Sequence, residues 1–271
     1  MERRYFSNDF NFEEYRNEIE CSDLNLFCCS DAIETNKAEN VNESQYWNIF
    51  YQKHKSGKFY KSRNYLLQEF KNYFSPLISS IETSVIVECG AGHGATIYSL
   101  IDKLPSNITF LATDYSEDAL ASLKDNSAFD CDRIQTSQWD ITRPLDITLP
   151  YSPRIVICMF TMSAIHPMFH YDCLKNMTNI LKSGSVILFR DYGIFDFTMF
   201  KQKSKVCHNL YRRGDKTLSF YFTVEYFESL IEKLTDDLEI VEISYCTILS
   251  TNRKTKDIMK RIYLHSVIKK K

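Results

Sequence analysis

The chain has 271 residues, is 44% hydrophobic and 25% charged, and carries a net charge of −2. Those proportions are globular and exclude a mainly disordered chain, a collagen-like repeat and a coiled coil. The charge is uneven: residues 1–45 hold four Lys or Arg against eleven Asp or Glu, and the remainder holds 29 against 24. An acidic leader thus precedes a mildly basic body, which permits nucleic-acid binding without showing it.

The longest apolar runs, such as residues 155–160, are about six residues and cannot span a bilayer. No apolar signal core follows Met1-Glu2-Arg3-Arg4, so no secretion and no membrane association are expected. The nine cysteines include the adjacent Cys28 and Cys29 and contain no C-x-x-C pair. They read as reduced thiols in a cytoplasmic or nuclear protein without a structural metal.

Residues 1–43 read as a weakly ordered acidic leader with room for one short helix. Trp47, Phe50 and Tyr51 fall at i, i+3 and i+4, an aromatic helix face. A second helix is predicted over 64–74, ended by Ser75-Pro76; residues 44–80 form a helical cap. From 81 to 271 strands alternate with helices. Strands are predicted at 85–87, 108–113, 154–160, 185–189, 239–248 and 261–267, and helices at 94–104, 117–124, 171–181 and 224–234. That alternation specifies an α/β fold, a mostly parallel sheet with helices on both faces. The two C-terminal strands, with no helix between them, give an antiparallel edge. Residues 192–222 form an insertion rich in aromatic and basic residues.

Only seven glycines occur in the chain, and Gly90, Gly92 and Gly94 directly follow a buried strand. Glycines there let the backbone turn sharply and let a ligand approach the following amides. Asp114 ends the next strand, where an acid takes both hydroxyls of a ribose. The spacing is G-x-G-x-G after Glu88, not the G-x-G-x-x-G of dinucleotide loops. It is similar to the S-adenosylmethionine loop of Rossmann-like methyltransferases, in which an acid placed like Asp140 accepts from the adenine amino group. His93 reads as a loop-facing residue, not a catalytic base.

Further motifs are more specific. They are Phe189-Arg190-Asp191-Tyr192-Gly193 continuing to Asp196, and Ser163-Ala164-Ile165-His166-Pro167. Tyr46-Trp47 with Phe50-Tyr51, then Lys61 and Arg63, and later Asn209, Tyr211, Arg213, Asp215, Thr217 and Ser219, complete the set. From about residue 46 onward the chain resembles the eukaryotic methyltransferase-like tRNA 3-methylcytidine methyltransferases. These are class I S-adenosylmethionine-dependent enzymes that modify cytidine 32 of the anticodon loop.

The resemblance implies a Rossmann-like class I fold with a mostly parallel seven-stranded sheet, and S-adenosylmethionine as cofactor. It places Trp47 and Tyr51 over the cofactor and Gly90 at its methionine end, with Glu88, Gly92 and Gly94 as further cofactor-binding residues of the same loop. Asp114, with Tyr115 beside it, takes the ribose; Asp140 and Ile141 flank the adenine; Met159 ends the strand beside the cofactor. Arg190, Asp191 and Tyr192 face the target base. Lys61, Arg63, His166, Asp196, Lys203 and Arg213 fall to the RNA. The implied partner is tRNA, with seryl-tRNA synthetase as an accessory protein of some family members.

The chemistry suits these residue types. N3 of cytosine carries a lone pair and no proton, so its methylation needs orientation and exclusion of water but no general base. A carboxylate can accept from the cytosine amino group and stabilise the cationic product; Asp191 is the candidate. An ion pair with Arg190 or another local arginine is its other reading. His166 either touches substrate or holds a turn. Lys53, Lys55, Lys58, Lys61 and Arg63, and then Lys201, Lys203, Lys205, Arg212 and Arg213, form two basic stretches. Each is a phosphate contact or a solvated face. A catalytically silent scaffold and a methyltransferase for another acceptor are the competing functions.

Overall fold

The structure is a computed structural model and describes residues 7–22, 43–54, 62–149, 152–234, 237–252 and 255–271. Before the first strand come α1 (Phe12–Glu20), α2 (Glu43–Lys53), α3 (Leu66–Glu69) and α4 (Lys71–Ile78). Then β1 (Ser84–Cys89), α5 (Ile97–Leu100), β2 (Ile108–Asp114), α6 (Glu117–Lys124), β3 (Ile134–Gln138) and β4 (Ile155–Met159) alternate. They are followed by α7 (His170–Asn179), β5 (Val186–Tyr192), the short strands β6 (Ser204–Cys207), β7 (Leu210–Arg212) and β8 (Leu218–Phe220), α8 (Val224–Glu232), β9 (Leu238–Thr251) and β10 (Ile258–Lys270). No described helix is long and apolar enough to cross a membrane.

Seven strands form one sheet in the order β3-β2-β1-β4-β5-β10-β9. The first five neighbours pair in parallel. β10 runs antiparallel to both β5 and β9, so the antiparallel strand lies one place inside the edge. The order reverses between β1 and β4, and a parallel sheet opens a ligand crevice at the carboxyl ends of the strands at such a switch point.

Period-two alternation sends successive side chains to opposite faces. Val85, Val87 and Cys89 of β1, with Ile187 and Phe189 of β5, enter the core under α7 and α8. Ile86, Leu188, Ile157 and Met159 enter the other core, with Leu66, Phe70, Phe74 and Leu77 of α3 and α4. The same alternation decides where the polar residues at the strand ends point.

Helix boundaries follow local chemistry. Ser116 caps α6 by accepting from the Ala119 amide at 3.2 Å, with Glu117 and Asp118 in the favourable first turn. The predicted bounds of that helix are the observed ones. Three other expectations are corrected. The helix predicted over 94–104 is a turn followed by α5 and a 3₁₀ turn, Ile101–Lys103, because the glycine loop takes up its start. The helix predicted over 64–74 breaks at Phe70 into α3 and α4, and α4 continues through Pro76 to Ile78. Burial of Phe74 and Leu77 outweighs the one hydrogen bond Pro76 cannot donate. The strand β3 was not predicted, since only Ile134 of its five residues is buried.

The insertion over 192–222 folds as a three-stranded antiparallel sheet, β6-β7-β8. The leader, expected to be weakly ordered, is packed over residues 7–22. Phe12, Tyr15 and Ile19 form a helical stripe on α1 that meets Ile194, Phe195, Met199 and Tyr221, and the Phe12 ring stacks on Tyr245 at 3.9 Å. Asn8 adds a bridge to Thr247 on the edge strand, which covers part of an otherwise open edge.

Candidate active site

The carboxyl ends of β1, β2, β4 and β5 converge on one crevice. The backbone reverses tightly after β1: Gly90 sits at φ +70° and Gly92 at φ +56°, conformations that favour glycine. A Cβ at Gly90 would lie 2.3 Å from Thr161 Oγ1, and one at Gly92 would lie 2.6 Å from Tyr51 Oη. Thr161 on one side and Tyr51 on the other therefore press directly on the loop. Gly94 closes the turn, its amide donating to the Ala91 carbonyl at 2.9 Å.

Asp114, at the end of β2, is tied to this loop. Its Oδ2 accepts from the Gly92 amide at 2.8 Å and its Oδ1 from the Ser116 amide at 2.9 Å. Burial pushes its carboxyl up to about 6 against these hydrogen bonds. The next residue, Tyr115, is exposed, and its carbonyl accepts from Gln138 Nε2 at 3.1 Å. Asp140 lies half-buried after β3, with Oδ1 accepting from the Thr142 amide and hydroxyl at 3.0 and 2.7 Å. Ile141 is buried beside it, and its carbonyl accepts from Asn176 Nδ2 at 2.9 Å.

Glu88, the residue before Cys89, is 1% exposed. Burial raises its carboxyl to about 7, opposed by the Arg63 guanidinium. Arg63 Nη1 stands 3.9 Å from Glu88 Oε1, while Glu88 Oε2 has no hydrogen-bond partner. The same Nη1 donates to Thr96 Oγ1 at 3.0 Å and to the Met159 carbonyl at 3.2 Å. Over the loop lies α2. Asn48 Oδ1 accepts from the Ser116 hydroxyl at 2.6 Å, and Gln52 donates to Asp118 at 3.0 Å. Tyr51 and Phe50 are buried against Ala119, with Trp47 packed beside them. The other helices of the expected cap, α3 and α4, belong to the core layer. His93 is displaced downward in pKa by burial and by Arg63.

These residues fit S-adenosylmethionine. An orphaned buried carboxylate oxygen on Glu88 suits a protonated amine, Asp114 retains lone pairs for a ribose, and Asp140 Oδ2, 3.6 Å from Arg143 Nε, retains lone pairs for an amino group. Among the described residues no group of three His, Cys, Asp or Glu could hold a metal.

The residues expected to meet RNA divide. Lys61 lies outside the described residues, as do Lys55 and Lys58 of the same stretch. Tyr192 is half-buried beside Phe160, with ring centroids 5.2 Å apart, and the Arg213 guanidinium lies 5.5 Å over its ring. Lys203 is exposed on the insertion. His166 is used locally, its Nδ1 accepting from the Met168 amide at 3.3 Å, and burial and Arg212 lower its pKa.

Two of the residues expected at the substrate are instead enclosed in buried ion pairs. Arg190 is 1% exposed and points to the α3 face, where it binds Glu69 Oε2 at 2.6 Å. Asp196 is fully buried and accepts from Arg261 Nε at 2.8 Å and the Ile262 amide at 2.9 Å. Arg63 meets Glu88, Thr96 and the Met159 carbonyl, and its guanidinium also lies 5.2 Å over the ring of Phe160, the neighbour of Tyr192. Asp191 points away from Arg190, as neighbours on a strand must, so the two do not pair. Its Oδ2 accepts from the Ser163 amide and its Oδ1 from the Tyr192 amide, both at 2.8 Å. It is 0% exposed, and burial raises it to about 6.

Several contributors were not read from the sequence. Thr161 donates to the Cys89 carbonyl at 2.9 Å while filling the space beside Gly90. Asn48 and Ser116 seat α2. Phe160, one residue past β4, adopts φ +58° and donates its amide to the Arg190 carbonyl at 2.8 Å. A single side chain after a strand carries no periodic signal that marks such a role.

No family model matches the chain. The chain is 33% identical over 224 residues to the tRNA N(3)-cytidine methyltransferase METTL6 of Homo sapiens, covering 81% of this chain and 78% of that protein. It is 31% identical over 265 residues to the tRNA N(3)-methylcytidine methyltransferase trm140 of Schizosaccharomyces pombe, covering 93% and 85%. With the tRNA(Thr) (cytosine(32)-N(3))-methyltransferase of Saccharomyces cerevisiae it shares 31% identity over 204 residues, 73% of this chain and 32% of that one. Among solved structures, a SAM-dependent methyltransferase from Anabaena variabilis superimposes with TM-score 0.60 at 12% identity, covering 86% of this chain and 96% of that one.

Proposed function

The chain belongs to the family of tRNA N(3)-cytidine methyltransferases, and from that premise we propose that it methylates N3 of cytidine 32 in the anticodon loop of tRNA. It is an S-adenosylmethionine-dependent methyltransferase of Rossmann-like fold. The observation that carries the choice of acceptor is the arrangement at the end of β5. There a buried carboxylate, Asp191, underlies a half-buried aromatic ring, Tyr192, with the cation of Arg213 above it.

When bound, S-adenosylmethionine supplies an already activated methyl group. Glu88, Asp114 and Asp140 hold it, and Trp47 and Tyr51 on α2 cover it. The residues around the acceptor then have to bind, orient and exclude water. Tyr192 offers a face on which a flipped pyrimidine stacks. Asp191 fixes the Ser163 and Tyr192 amides and sets a negative charge under the site. That charge favours a cationic product without contact with the base. A proton acceptor at the rim is unnecessary, in keeping with His166, whose Nδ1 is taken up by a backbone amide.

Lys203, just before β6, and Arg213, in the β7–β8 turn, are the phosphate contacts of this reading. The reading extends to a cytoplasmic or nuclear site of action and to an accessory aminoacyl-tRNA synthetase, both carried by the family resemblance alone. The test uses tRNA transcripts with cytidine or uridine at position 32 and radiolabelled S-adenosylmethionine. Label in the cytidine transcript only is the expected result. Equal label in both overturns the position, and no label in any tRNA overturns the acceptor.

A further inference from the structure

Arg190 belongs to the most specific motif of the chain, yet it is buried on the face away from the base. Its guanidinium is sandwiched between the rings of Tyr65 and Tyr263, 4.9 and 4.5 Å from their centroids, and donates to Glu69 at 2.6 Å. Tyr65 and Glu69 are four residues apart, on one face of a helical turn, so one cation grips that turn twice. Glu69 is held from its other oxygen by His265 at 2.9 Å, and His265 reaches Glu242 at 3.0 Å. Tyr73 of α4 completes the chain with a hydrogen bond to Glu242 at 2.7 Å.

A buried ion pair is a poor means of gaining stability, since desolvation offsets most of its attraction. Its geometry matters more. That turn continues directly from Arg63, whose carbonyl accepts from the Leu66 amide at 3.1 Å. From there the Arg63 side chain lies 5.2 Å over the Phe160 ring and meets three walls of the proposed cofactor pocket. These are Glu88 at the end of β1, Thr96 beside the glycine loop, and the Met159 carbonyl at the end of β4. Arg190 is in turn the ladder partner of Met159 and receives the Phe160 amide on its carbonyl. The two ends of the device therefore meet at the same strand terminus.

We propose that the buried Glu69–Arg190 pair is a positioning device that clamps the turn before α3 to the end of β5 and so holds Arg63 against the methionine end of the cofactor pocket. Arg190 and Glu69 act through Arg63 and touch neither cofactor nor RNA. The proposal rests on the cofactor assignment and is independent of which nucleotide accepts the methyl group.

The test is calorimetric binding of S-adenosylhomocysteine to full-length variants, at a temperature where circular dichroism shows each folded. Glu69→Gln and Arg63→Met should each weaken binding about tenfold or more, the loss of one charge-assisted contact. The double variant should be no weaker than Arg63→Met alone, because coupled sites are non-additive. Affinity for a tRNA transcript and its salt dependence should stay within about twofold of the parent for all three. Arg190→Lys, which keeps the charge but loses the planar grip, should recover part of the affinity lost in Arg190→Met. If Glu69→Gln does not fold, His265→Asn withdraws only the second partner of Glu69 and should weaken binding in the same direction. Additive effects in the double variant would overturn the clamp, as would a folded Glu69→Gln or His265→Asn with parental affinity. So would an Arg63→Met variant that binds S-adenosylhomocysteine normally but tRNA weakly with a shallower salt slope, which would mark Arg63 as a phosphate contact.

Discussion

Asp114→Asn tests the cofactor pocket most sharply. Both carboxylate oxygens of Asp114 accept backbone amides, from Gly92 at 2.8 Å and Ser116 at 2.9 Å. An asparagine can accept only one of these, and its NH₂ group then faces the other N–H. Hydrogen bonds to a charged group contribute roughly 1.5–3 kcal/mol each, and an orphaned amide costs a similar amount. The same substitution replaces an ionic acceptor for the ribose by a neutral one. Weakening of S-adenosylhomocysteine binding by about 10- to 150-fold is therefore expected, at roughly 1.4 kcal/mol per factor of ten. Isothermal titration calorimetry at pH 8 measures it. In the parent, affinity should fall as pH drops through about 6, where Asp114 takes up its proton and loses acceptor strength. The variant should lack that limb and keep only the one due to Glu88, whose carboxyl is raised to about 7. Parental affinity in Asp114→Asn, with an unchanged acid limb, would refute the assignment of Asp114 to the ribose.

Other outcomes follow from the same geometry. Gly92→Ala places a Cβ 2.6 Å from Tyr51 Oη at φ +56°; the left-handed backbone alone costs roughly 1–2 kcal/mol, so cofactor affinity should fall at least about tenfold, read by the same calorimetry. Asp191→Asn should lower kcat for tRNA methylation by more than an order of magnitude, about what loss of a preorganised charge costs, with cofactor affinity nearly unchanged; normal turnover would remove Asp191 from the mechanism. Arg213→Ala should raise the Kd for tRNA and flatten its salt dependence while leaving S-adenosylhomocysteine binding intact, measured by filter binding across a salt series and by calorimetry. His170 is buried and lowered to about 4 by burial. Its neutral form therefore favours the fold above pH 6.5, and that contribution, at most about 3 kcal/mol, is lost as pH falls from 6.5 toward 4. The melting-temperature difference between parent and His170→Asn should shrink over that interval.

What the sequence revealed depended on the kind of signal. The predicted bounds of α6 match the structure, where Ser116 and the acidic first turn mark its start. The glycine loop and the acids at 88, 114 and 140 were legible because their spacing is short. β3 was not legible: it lies on a sheet edge, and Gln135, Thr136, Ser137 and Gln138 carry no apolar stripe. α1 was legible in kind only, since Phe12, Tyr15 and Ile19 have helical spacing but their partners lie in the insertion, far along the chain.

The same distinction governs the site residues. Motifs bring residues to attention without saying which way they point. Arg190 and Asp191 are adjacent in the motif but sit on opposite faces of β5, and only the neighbouring layers decide that one meets Glu69 and the other Ser163. Asp196 is taken by Arg261 on a distant strand, a pairing that no local pattern announces. Arg63 stands in a basic stretch, yet its side chain lies beside the buried Glu88.

The most direct test is nucleoside mass spectrometry of unmodified tRNA incubated with the protein and S-adenosylmethionine, with and without cell extract. A gain of 3-methylcytidine, and of no other methylated nucleoside, is the predicted result. Confirmed binding of S-adenosylhomocysteine with no gain of 3-methylcytidine in either sample would contradict the proposed acceptor.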